Sequence, residues 1–199
     1  MILEQKAISP TLAVDLISKA WAESELHVGV FLDDEWYVQN IDYWALREIR
    51  GCGVWPHVIE LSELSSLVMS TQKVRKIMVR GSQGAVQRFS ESLDTRLPVT
   101  LHLSGTQFEV YPYECSKSAS LELILEKIGL SFEQAIAFGD SGTDATMIAS
   151  AGIGIAMSNA TDFVKDLADE VTLSNCEDGV GLMLRKYFPA DSAIVPILG

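Results

Sequence analysis

Positive charge is scarce in this chain of 199 residues. Fifteen lysines and arginines stand against 27 aspartates and glutamates, a net charge of −12. That balance argues against nucleic acid or an anionic membrane surface as a partner, since both select basic patches. Cysteine is scarce as well. Cys52, Cys115 and Cys176 are an odd number without Cys-x-x-Cys spacing, which points to neither a disulfide framework nor a zinc site and leaves reduced thiols as the expectation. Long apolar runs are missing. No stretch approaches the ~18 residues of a membrane helix, and Met1–Lys6 lacks the apolar core of a signal peptide, so a cytoplasmic protein is expected. His27, His57 and His102 are scattered without ligand spacing and read as core or surface residues.

What is present is apolar enough, at 48%, for a sizeable core in one or two domains. Ser9-Pro10 reads as a helix start, with Leu12, Ala13, Leu16, Ile17 and Ala20 giving an apolar face. His27–Leu32 and Trp36–Gln39 alternate as a hairpin. Tyr43–Arg50 is helical, Val58–Leu61 and Lys76–Arg80 are strands, Gly84–Leu93 is helical, and Val99–Leu103 with Gln107–Tyr111 forms a second hairpin. From Ser116 the rhythm becomes helix, strand, helix, strand. That alternation marks a parallel sheet with crossover helices, so the fold class is α/β with an α+β layer ahead of it. Trp21, Trp36, Trp44 and Trp55 all lie in the first layer and read as packing residues.

The most informative stretch is Gly139-Asp140-Ser141-Gly142-Thr143-Asp144, between the apolar run Ala135–Phe138 and a helix-like Ala145–Ile148. Two carboxylates four positions apart at the end of a buried strand suit a hard cation such as Mg²⁺, which would neutralise their repulsion. Aspartate and glycine are also ordinary strand-end and cap residues, and Asp144 reads equally as a helix cap. Lys117 lies 23 residues upstream of Asp140 and opens a helical pattern of Ala119, Leu123, Ile124 and Ile128. A cation is unfavourable at the positive end of a helix unless an anion faces it. Downstream follow Gly152–Ala160, with Asn159 after a short strand Gly154–Met157, then Val171–Asn175 and Glu177–Val180. Asn159 reads on its own as a loop residue capping the next helix. Asn175 and Asp178 read as structural, closing a turn and starting the last helix.

This ordered set resembles the C-terminal half of the haloacid dehalogenase-like superfamily, specifically its Cof-type sugar-phosphate phosphatases with a large α/β cap. The resemblance covers Pro112–Phe188 and extends more loosely over the earlier residues. It implies a cap at 1–111 and a partial Rossmann-like core at 112–199. It implies Mg²⁺ as cofactor and small phosphomonoesters such as sugar phosphates as substrates. By resemblance, Asp140 and Asp144 form the metal site. Asp140 coordinates directly, and Asp144 accepts from a metal-bound water or orients Lys117. Lys117 stabilises the nucleophile and the phosphoryl charge, and Asn159 matches an Asn that the family places near the metal site, so Lys117 and Asn159 are the implied phosphate-binding residues. One departure is local, because the family usually has Asn where this chain has Thr143.

The larger departure is the nucleophile. The family attacks phosphorus with the first aspartate of an Asp-x-Asp-x-Thr motif and uses the second as general acid and base. Aspartates occur at positions 15, 33, 34, 42, 94, 140, 144, 162, 166, 169, 178 and 191, and no two are spaced by two. Asp33-Asp34-Glu35 reads as a hairpin turn. The resemblance places Met1 near the start of the cap, so the expectation is a phosphatase by lineage, inactive alone. A non-catalytic binding or self-associating module is the alternative, and an enzyme using Asp33 or Asp34 is a third reading. An incomplete parallel sheet implies an open edge, to be met by self-association, by a complementing chain, or by the apolar tail Ala193–Leu198.

Overall fold

The computed structural model describes residues 5–71, 73–94 and 96–189, and the chain divides into two units, Met1–Cys115 and Ser116–Gly199. The first is built on a six-stranded sheet of β1 (Leu26–Leu32), β2 (Glu35–Val38), β3 (His57–Val58), β4 (Val74–Gly81), β5 (Val99–Ser104) and β6 (Gln107–Pro112), in the order β3-β2-β1-β4-β6-β5. Alternation decides what each face does. Leu26, Val28, Val30 and Leu32 of β1 join the main core with α1 (Pro10–Trp21), α3 (Leu61–Thr71) and α4 (Gln83–Glu91). The opposite face packs Trp36, Val38 and Met78 with Phe31 and with Ile49 of α2 (Tyr43–Cys52).

Both expected hairpins are present, and Asp33-Asp34 forms the first turn. Asp33 has φ of 48° and pairs with Lys73 at 2.7 Å and Arg75 at 2.5 Å. These bonds hold its carboxyl below the usual range and occupy it in ion pairs, which argues against the reading of Asp33 as a nucleophile. The strand expected at Val58–Leu61 ends at Val58, and Leu61 instead opens α3. Leu64 and Val68 are fully buried at helical spacing, and the serines between them obscure that pattern. Ser65 and Ser66 bond back to the carbonyls of Leu61 and Ser62 and are accommodated in the helix. Ser9 occupies the cap position of α1, but its side chain makes no capping bond. Trp36 packs as expected, whereas Trp55 is 66% exposed.

Beneath α2 lies a polar cluster. Asp42 caps the helix by accepting from Trp44 N and Ala45 N, each at 2.9 Å, and its second oxygen meets buried His27 Nδ1 at 3.0 Å. Arg80, also buried, pairs with Glu48.

The second unit carries a parallel sheet of β7 (Ile136–Gly139), β8 (Ile153–Met157) and β9 (Glu170–Thr172), in the order β7-β8-β9. Among the described residues β7 pairs only with β8, so its other edge is open. The helices are α5 (Lys117–Ile128), α6 (Ala145–Ser150), α7 (Asp162–Lys165) and α8 (Gly179–Tyr187). A small core of Ile148, Ala156, Ala160 and Val164 holds α6 and α7 to β8. Gly154 is needed for that packing, because a Cβ there would fall 2.2 Å from the Ile148 carbonyl oxygen. Leu123, Ile124 and Ile128 of α5, expected as its buried stripe, are exposed, whereas Leu125 is buried and α5 packs against α6. The apolar stripe is wider than the neighbour it meets. Asp178 precedes α8 without capping it, and its carboxylate pairs with Arg185 at 3.1 Å. The tail Ala193–Leu198 lies outside the described residues. No described helix is long and apolar enough to cross a membrane.

Candidate active site

Parallel strands bring their carboxyl ends to one edge of a sheet, where ligands of α/β folds bind. Register places Gly139 of β7 beside Ala156 of β8, so the loops after the two strands are neighbours. Asp140 follows the first and Asn159 follows the second. Asn159 Nδ2 donates to Asp140 Oδ2 at 3.0 Å, and Asn159 Oδ1 accepts from Asn175 N at 3.0 Å. Asn159 therefore does not cap a helix. It is clamped from both ends and orients Asp140, whose side chain is exposed on this edge. Asn175, read as structural, contributes its backbone N–H.

Asp144 is 3% exposed and saturated. Its Oδ1 accepts from Lys117 Nζ, the first residue of α5. Its Oδ2 accepts from Ser141 Oγ at 2.8 Å, Ser141 N at 3.0 Å and Asp140 N at 3.2 Å. Burial alone would raise this carboxyl, but Lys117 and the donors from Ser141 and Asp140 outweigh it and hold the group below the ordinary carboxylate range. A carboxylate with both oxygens so engaged is a poor direct ligand for a further cation, and its geometry is that of a residue aiming Lys117. Asp144 occupies the N-cap position of α6 without a side-chain capping bond, so it does not cap that helix, and it instead closes a capping box with Ser141 in the turn before it. The capping role of Ser141 is visible in its spacing from Asp144. The contact between Gly139 and Asp144 is not, since a Cβ at Gly139 would fall 2.3 Å from Asp144 Cβ.

Lys117, Asp140, Asp144 and Asn159 are thus one connected constellation. Its fit to Mg²⁺ can be judged from the donor set. Among the described residues no group of three or more acidic, histidine or cysteine side chains is gathered for a metal. Mg²⁺ commonly takes one or two carboxylates and keeps several waters, so an exposed, amide-oriented Asp140 fits as one of its ligands. The ammonium of Lys117, 56% exposed at its side chain, also remains open to an anion.

A family model for haloacid dehalogenase-like hydrolases matches residues 1–184. A 5-amino-6-(5-phospho-D-ribitylamino)uracil phosphatase, YcsE of Bacillus subtilis, is 44% identical over 84 residues, which are 42% of this chain and 34% of that enzyme. A putative phosphatase of Buchnera aphidicola is 26% identical over 195 residues, 94% of this chain and 69% of that protein. The matched stretch thus spans about a third of YcsE and about two thirds of the Buchnera protein. Among solved structures, a haloacid dehalogenase-like hydrolase from Bacteroides thetaiotaomicron superposes with a TM-score of 0.78 at 28% identity, covering 92% of this chain and 68% of that one. A subclass IIB sugar phosphatase of the same superfamily shares the fold, with a TM-score of 0.73 at 19% identity over 93% of this chain and 69% of that one. The mixed α/β architecture, the motif order and the match over nearly the whole sequence agree, and the chain belongs to the haloacid dehalogenase-like hydrolases.

Proposed function

We propose that these 199 residues carry the lysine-bearing and metal-ligating half of a Mg²⁺-dependent phosphatase of small phosphomonoesters, and that they do not turn over substrate alone. The observation that carries this reading is the pairing of Lys117 with Asp144 beside the Asn159-oriented Asp140, at the carboxyl ends of parallel strands. Asp140 would hold the cation, which would supply charge neutralisation at phosphoryl oxygens. Lys117 faces the same oxygens with a fixed positive charge. Asp144 keeps its ammonium in place by a charge-assisted hydrogen bond, so little reorganisation is needed as charge develops. Asn159 keeps the Asp140 carboxylate from rotating. In a chain of net charge −12, such a local cation is what makes an anionic substrate tolerable.

The reaction lacks a nucleophile within this sequence, because no Asp-x-Asp pair occurs in it. A strand bearing that pair would dock along the open edge of β7 and place its aspartates beside Asp140. The phosphomonoester class is supported by the relatives named phosphatases, one of them acting on a phosphorylated ribitylamino-uracil. The free state of Cys52, Cys115 and Cys176 accords with a cytoplasmic setting, and a net charge of −12 disfavours nucleic-acid or anionic membrane partners.

The test is turnover of an aryl phosphate and a sugar-phosphate panel by the purified chain with Mg²⁺, beside Asp140→Asn. No turnover above that variant is expected. Turnover abolished by Asp140→Asn would show that the chain holds a nucleophile of its own.

A further inference from the structure

Thr143 stands where the family usually has Asn, and the structure shows what its hydroxyl does instead. Thr143 Oγ1 lies 2.7 Å from Ser141 Oγ, and Ser141 Oγ lies 2.8 Å from Asp144 Oδ2. The direction of both bonds follows from chemistry. An ionised carboxylate has no proton and can only accept, so Ser141 spends its single O–H on Asp144. What Ser141 Oγ then offers Thr143 is a lone pair, and Thr143 must be the donor. Protons in such a chain point one way, and each bond polarises the next.

We propose that Thr143 and Ser141 form a two-hydroxyl relay that fixes the Asp144 carboxylate, making Thr143 a positioning residue for Lys117 and Asp140. Thr143 does not touch Lys117 or Asp140 through this relay. It acts through Ser141 on Asp144 Oδ2, the atom that also accepts from Asp140 N and Ser141 N. The opposite oxygen, Oδ1, accepts from Lys117. A carboxylate locked at Oδ2 presents Oδ1 in one direction and pins the backbone from which the Asp140 side chain projects. Two short side chains on one turn thereby set both charged groups of the site. The functional importance of the relay rests on the phosphatase reading, but the relay itself can be measured without turnover or metal.

The experiment is amide hydrogen exchange of Asp140 and Ser141 in the full chain, with the Ile155 amide of β8 as the internal reference for the fold. Thr143→Val keeps shape and removes the donor, so exchange at both amides should rise about fivefold, as for loss of one neutral hydrogen bond. Thr143→Ser restores the donor and should exchange at the parent rate. Ser141→Ala cuts the relay at its second link and should speed exchange by about tenfold. Adding Thr143→Val to Ser141→Ala should change nothing more, because the links are in series. Unchanged amides in Thr143→Val, no rescue by Thr143→Ser, or multiplying effects in the double variant would each overturn the relay. None of those outcomes bears on the phosphatase reading, and failure of that reading in turnover assays would leave the exchange result standing.

Discussion

Gly139→Ala should disable the site from a position that makes no polar contact through a side chain. The new Cβ would fall 2.3 Å from Asp144 Cβ, 2.7 Å from its Cγ and 3.0 Å from its Oδ2. Rotating χ1 cannot relieve the first clash, because Asp144 Cβ is fixed to the backbone. The loop must shift instead. Overpacking of this kind costs about 1–3 kcal/mol. If the carboxylate leaves its donors, charge-assisted hydrogen bonds worth about 1.5–3 kcal/mol are lost too. A loss of about 4 kcal/mol from the stability of the Ser116–Gly199 unit is expected, with a urea midpoint at least about 1 M lower. Gly142→Ala, three residues on, is the control. Nothing lies within 4 Å of its Cβ, so it should fall within about 0.5 kcal/mol of the parent, or slightly above it. The probe matters, because all four tryptophans lie in Met1–Cys115 and their fluorescence follows that unit. Amide exchange along β8 reports on the other. Equal midpoints for Gly139→Ala and Gly142→Ala would refute the close approach.

Two further outcomes concern the polar cluster under α2. Asp42→Ala removes an N-cap that accepts two backbone bonds and leaves buried His27 Nδ1 without its partner, so about 2 kcal/mol should be lost from the tryptophan-monitored urea transition. Asp42→Asn, which can still cap, should cost less, and equal losses would contradict the cap. Burial pushes His27 below its ordinary value of 6.5, outweighing the opposite pull of Asp42, with Arg80 adding to the depression. The unfolded chain therefore takes up the proton first. Stability should fall as pH drops below 6.5, and this contribution should level off once pH passes the depressed folded value. His27→Gln should flatten that part of the profile. A variant with the same slope as the parent would show that His27 is not its source.

Much of this was legible in the residues, for reasons that differ by element. Both hairpins show because β-branched and aromatic residues alternate around Asp33-Asp34 and Ser104-Gly105-Thr106, and turn chemistry marks the gaps. Helix α3 is hidden because serines interrupt Leu61, Leu64 and Val68, and only the burial of Leu64 and Val68, with Leu61 packed against the same core, reveals the stripe. For α5 the error runs the other way. Its sequence is apolar on more sides than the fold covers, so periodicity alone names Leu123 and Ile124 while packing selects Leu125. In the site, spacing singled out Asp140 and Asp144, the resemblance added Lys117 and Asn159, and the fold brings the four residues into one hydrogen-bonded group. Spacing does not encode which oxygen meets which donor, and the engagement of Asp144 and the clamp on Asn159 emerge only from coordinates.

If Lys117 and Asp140 belong to a phosphatase half-site that needs an aspartate nucleophile, the most direct test is phosphatase turnover with Mg²⁺ after this chain is joined, at its amino end, to a segment of a relative that carries Asp-x-Asp-x-Thr. The joined protein should show turnover that is lost on Asp140→Asn and on Lys117→Ala. Turnover that survives both substitutions, or a folded joined protein with none, would contradict that assignment.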